Sequence, residues 1–180
     1  MKKIIVITQT AVMLALLIGL QFVSHTFGQF VTGSLVNMVL LVTVFVIGLY
    51  SGAVIALVSP FLAVFMGVGP ALIQIVPLIA IGNVVFVLLA WLVRKNIGRR
   101  GIKPVSITVA GLAAASAVKA SVLWLSISIV ALPLLPGTSD SQIAAISMAF
   151  SWPQLVTALT GSVLAMIIVP VLKKANSHML

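Results

Sequence analysis

The feature that most constrains this chain is a series of long apolar runs. Residues 4–24, 35–67, 72–93, 105–132 and 150–172 are nearly unbroken stretches of Leu, Ile, Val, Ala and Phe, and about 20 such residues suffice to cross the hydrocarbon of a bilayer as a helix. Hydrophobic residues make up 62% of the chain and charged ones 6%, whereas soluble domains need roughly a quarter of their residues charged. Asp140 is the single acidic residue, so no water-facing catalytic domain fits. The expected fold is an all-α integral membrane protein, with residues 1–180 forming one transmembrane domain.

Charge placement sets the number of spans. The net charge of +9 would suggest nucleic acid in a soluble protein, but here the basic residues cluster at the ends of apolar runs, where they report topology. Arg94, Lys95, Arg99, Arg100 and Lys103 form one cluster, Lys2 and Lys3 another, Lys173 and Lys174 a third. Basic segments stay in the cytoplasm, so an even number of spans separates Lys3 from Arg94. The run 35–67 must therefore be two helices, turning at the Gly-rich break "IGLYSG". The sequence predicts about six helices, over 4–24, 35–48, 51–67, 72–93, 105–132 and 150–172, with both termini cytoplasmic. Segments 25–34, 67–71 and 133–149 become outer loops. The start, "MKKIIVITQTAVMLALLIGLQF", has the look of a signal peptide, but its run is too long and lacks a small-residue cleavage site, so it reads as a retained first helix.

Several chemistries have no residues to support them. There is no cysteine and no Gly-rich loop ending in Gly-Lys-Ser/Thr, so disulfides and nucleotide hydrolysis by this chain are not expected. Its His25, His178 and Asp140 are too scattered for a metal site or for acid–base catalysis. Coupling to protons or sodium normally uses carboxylates within the membrane, and none occurs in the runs. The expectation is a protein that is not an enzyme, holds no cofactor or metal, and draws its energy from elsewhere.

Ala11, Ala15 and Gly19 recur every four residues on the first helix, a small-residue stripe that lets another helix approach closely. It suits either internal packing or a partner subunit. Together with this stripe, "AVMLA" at 11–15, "GSLVN" at 33–37, "IGLYSG" at 47–52 and the closing "SWPQLVTALTGSVLAMIIVPVL" make the chain resemble the substrate-binding S component of energy-coupling-factor transporters. That resemblance implies a multi-pass protein of a prokaryotic plasma membrane that binds a small water-soluble vitamin or precursor. It also implies a transmembrane coupling subunit, docked at Ala11 and Ala15, and two ATPase subunits that supply the energy. A non-transporting scaffold and an autonomous facilitator are the alternatives.

Candidate ligand residues lie in the outer half. Helices two, four and six would begin at the outer face, where their N-terminal amides favour anionic or carbonyl groups. Gln154 and Thr157 share a face near the start of the last helix, and Trp152 could stack on a ligand or anchor at the interface. Asn37 and Gln74 are further candidates, and Asn83 reads as a hydrogen bond between helices. Lys119 is the sharpest question. Lying 14 residues beyond Val105, it stands roughly 21 Å up its helix, where a cation is expensive. It could snorkel to the headgroups, pair with Asp140, or face the pocket and select a carboxylate or phosphate.

Overall fold

A computed structural model describes residues 2–70, 72–97, 104–134, 137 and 139–177. Arg99, Arg100, Lys103 and His178 lie outside these residues. The described residues are helical with short connections and contain no strand. The helices are α1 Lys2–Ser24, α2 Gln29–Val46, α3 Leu49–Phe65, α4 Val76–Asn96, α5 Pro104–Leu123, α6 Asp140–Ala149 and α7 Trp152–Ser177. Helix α5 widens into a π-helix over Trp124–Ala131 and closes with Leu132–Leu134. Five segments are long and apolar enough to cross a membrane, and α3 is a shorter apolar helix of 17 residues.

The run 35–67 does divide. Helix α2 ends at Val46, and α3 starts after Gly48, whose φ of 144° is open to glycine and rarely to other residues. The two short helices then run antiparallel. The Arg94 guanidinium at the end of α4 donates to the Val44 carbonyl near the end of α2, so the last turns of both helices share one end of the bundle. A cation there suits the exposed carbonyls of a helix C-terminus.

Helix α2 is the axis of the bundle. It packs on α1, α3, α4 and α7, while α5 bridges α4 and α7. Leu40, Leu41, Val44, Ile55, Phe86, Val87 and Leu112 make the core between these helices. The closest seam is α2 against α7. A Cβ on Gly161 would come 2.8 Å from the Ser34 carbonyl oxygen and 2.9 Å from the Met38 nitrogen, so only glycine lets the backbones meet this way. Helix α1 is the outlier. Its Leu17 is buried, but most of its apolar surface, including Ile4, Ile7, Val12 and Leu16, stays exposed, as suits a helix facing lipid or another chain.

Two segments differ from the sequence expectation. Helix α2 begins at Gln29, six residues before the expected 35, because Gln29, Thr32, Gly33 and Ser34 turn inward or toward neighbouring helices instead of forming a polar loop. The segment 133–149, expected as a loop, contains α6. Its start is fixed by a capping box in which Ser139 accepts from the Gln142 backbone and Gln142 reaches back to Ser139. Asp140 then sits in the first turn, where a negative charge is favourable.

Candidate functional site

Polar side chains meet in the middle of this apolar bundle. Lys119 on α5 is only 3% exposed, and its ammonium donates to Asn37 Oδ1 on α2 and, at 2.7 Å, to Asn83 Oδ1 on α4. It also lies 5.1 Å from the centre of the Phe86 ring, whose face attracts a cation. Because an ammonium has donors only, both amide oxygens must turn toward it. Asn37 then presents its Nδ2 to Thr157 Oγ1 on α7 at 3.4 Å, and Thr157 in turn donates to the Gln154 carbonyl at 3.1 Å. Four helices are thus joined through one lysine.

This cluster forms the floor of a cavity of about 470 Å³. Asn37 is about 12 Å below the start of α2 and Asn83 about 10 Å below the start of α4, from the helical rise, so the floor lies well inside the bundle. Val36, Pro60, Ala63, Ile79, Leu123 and Phe150 line apolar walls. His25, Gln29, Gly69 and Pro70 stand toward the mouth, and α6 contributes Ala145 and Ile146. The mouth is at the end of the bundle opposite Arg94 and Lys95. Each of the first five helices brings polar side chains to the lining, among them Gln21, Asn37, Ser59, Asn83 and Lys119, with Gln29 and Thr32 added from α2. Two buried oxygens among these, Gln21 Oε1 and Ser59 Oγ, have no hydrogen-bond partner among the described residues.

Lys119 does not snorkel, and its partners are neutral amides instead of Asp140, which is exposed at the start of α6. No formal negative charge touches it among the described residues. Of the other residues singled out in the sequence, Asn37 and Gln154 line the cavity, and Thr157 lies behind Asn37 as a buttress. Gln74 is exposed in a 3₁₀ turn over Ile73–Ile75 and does not reach the lining. Trp152 is also outside the lining. It is 54% exposed, with its ring 5.6 Å from that of Phe30, as suits an interfacial anchor. Asn83, expected only as a bond between helices, is both that bond and part of the floor. Gln21, Ser59 and Thr32 were not singled out, because lone polar residues in apolar helices carry no periodic signal. Ala11 and Ala15 are both exposed on α1.

The cavity can take a small solute, holding a carbonyl or anionic group at Lys119 and carbon skeleton against the walls. The family described as ECF transporter, substrate-specific component, matches residues 9–173. Neither a curated protein nor a solved structure matches the chain. The cavity within a membrane bundle and the extent of that match lead to one conclusion: the chain belongs to the substrate-specific components of ECF transporters, multi-pass membrane subunits that bind the solute to be carried.

Proposed function

We propose that this chain captures a small water-soluble vitamin or precursor carrying an anionic group, a carboxylate above all. It delivers that solute through a complex with a transmembrane coupling subunit and two ATPase subunits. The observation that carries the reading is Lys119, a buried cation at the floor of a solute-sized cavity whose partners among the described residues are all neutral. Burying a charge without an opposite one is costly, and an anion entering the cavity completes the pair. Asn37 and Asn83 hold the ammonium in place for it, and Phe86 covers one side.

Orientation follows from the cations. Lys3, Arg94, Lys95, Lys173 and Lys174 belong to the end away from the mouth, so the positive-inside rule puts that end in the cytoplasm and the cavity toward the outside. The exposed small residues Ala11 and Ala15 on α1 offer the coupling subunit a surface that allows close helix approach. A cavity of this size also favours solute binding over a scaffold role.

The test is uptake into vesicles holding the chain with coupling and ATPase subunits and internal ATP. Labelled monocarboxylate vitamins such as pantothenate and nicotinate are compared with cationic thiamin. ATP-dependent uptake of an acid, absent for thiamin, is the expected result. Equal uptake without the ATPases would make the chain a facilitator, and preference for thiamin would refute the role given to Lys119.

A further inference from the structure

The lining holds a second polar feature that the acid-binding lysine does not use. Several hydroxyls in this bundle return to their own helices: Ser34, Thr43, Ser116, Ser126 and Ser162 each donate to the carbonyl four residues earlier, while Ser128, in the π-helical segment and outside the cavity lining, holds an Oγ without a partner among the described residues. That back-bond is the ordinary solution for a hydroxyl in an apolar helix. Ser59 does not use it. Its side chain is 1% exposed and lines the cavity, and its Oγ has no partner among the described residues. Gln21, reaching the same cavity from α1, holds its Oε1 in the same unpartnered condition. Buried polar groups are rarely left this way, and one beside a cavity points to a missing ligand atom.

A carbonyl oxygen such as Gln21 Oε1 accepts only, and a serine hydroxyl can accept as well as donate. The complementary ligand atom is therefore a donor. A second carboxylate would meet Gln21 Oε1 with repulsion, and Lys119 is the single lysine or arginine among the described residues of the lining. The volume of about 470 Å³ lies within the range of roughly 300–1,000 Å³ usual for small-solute sites.

We propose that the ligand is a monocarboxylate that also carries a hydroxyl or amide N–H, with its acid on Lys119 and that donor on Ser59 and Gln21. This rests on the reading that Lys119 takes an acid. The acid and the donor are held from different helices, α5 on one side and α1 and α3 on the other, so both groups are read together. An acid lacking the donor leaves two buried oxygens unpaired, and an alcohol lacking the acid leaves the lysine unpaired.

The test uses the purified full-length chain with four probes, read by calorimetry and thermal shift. Pantothenate and biotin are monocarboxylates with hydroxyl or N–H donors, octanoate is a monocarboxylate without one, and panthenol is pantothenate with its carboxylate replaced by an alcohol. The expected result is that a donor-bearing acid binds tightest, and that Ser59→Ala weakens it by about five- to tenfold, the worth of one hydrogen bond. The same substitution should leave the ligand-free protein as stable as before or more so, since it removes an unpaired group. Gln21→Leu should weaken the same probe and leave octanoate unaffected. Octanoate binding as tightly as the best donor-bearing acid, an unchanged affinity in Ser59→Ala, or a destabilised ligand-free Ser59→Ala protein overturns the inference while the acid reading stands. Panthenol binding tightest, or no acid binding at all, overturns both.

Discussion

Replacing Gly161 with alanine should damage the site from outside the cavity. The added Cβ would lie 2.5 Å from Asn37 Cβ, 2.8 Å from the Ser34 carbonyl oxygen and 2.9 Å from the Met38 nitrogen. The last two are backbone atoms of α2 and cannot rotate away. Ordinary contact therefore requires α2 and α7 to part by roughly half an ångström or more, a gap that forfeits a quarter to a half of the dispersion energy along the seam. Overpacking of this kind costs about 1–3 kcal/mol, against a gain of up to ~1 kcal/mol from replacing glycine in a helix. The net loss should be about 1–2 kcal/mol. Because Asn37 sits on the displaced face and holds Lys119, ligand affinity should fall together with thermal stability. Gly19→Ala is the control, since a Cβ there meets nothing within 4 Å; it should be neutral or stabilising. The assay is thermal unfolding of the purified chain with and without a bound acid. A Gly161→Ala protein that unfolds no earlier than wild type and binds with unchanged affinity would refute the close-approach argument.

Two other expectations concern the membrane context. Ala11→Trp or Ala15→Trp adds bulk to the exposed face of α1, so co-purification with the coupling subunit should fail while the isolated chain keeps its ligand affinity; equal loss of both would make the stripe internal packing. A cysteine at Asn96, beside the basic end of α4, should react with an impermeant thiol reagent only from the cytoplasm, and one at Ser139, at the start of α6, only from outside. Labelling of position 96 from outside would invert the orientation and put the mouth of the cavity in the cytoplasm.

The helices were largely legible because hydrophobic length is a one-dimensional signal. The break at Gly48 was legible because charge parity demanded an even number of spans before Arg94. The polar ends were harder. Gln29, Thr32 and Gly33 looked like loop composition, and their place in α2 follows from packing against α7, which no local pattern shows. The capping box of Ser139 and Gln142 was present in the sequence and could have revealed α6, but its apolar run was too short to stand out from a loop. Lys119 advertised itself, since a lysine in an apolar helix has few explanations. Its partners did not, because Asn37 and Asn83 are far apart in sequence and meet only when α2, α4 and α5 pack. Ser59 is the extreme case. Serine in an apolar helix normally satisfies itself, and only the geometry shows that this one does not.

The central claim is that Lys119 binds the acid of the ligand, and the most direct measurement is affinity for wild type and Lys119→Met. Methionine keeps much of the length and removes the charge. Calorimetry with the tightest-binding monocarboxylate and with its alcohol analogue isolates the charge term, and a melting curve verifies that the variant is folded. Loss of a desolvated charge pair should weaken the acid by about 2–4 kcal/mol, roughly 30- to 1,000-fold, and should leave the weak binding of the alcohol nearly unchanged. A folded Lys119→Met protein that binds the acid as tightly as wild type would contradict the account and leave Lys119 a purely structural tie between α2, α4 and α5.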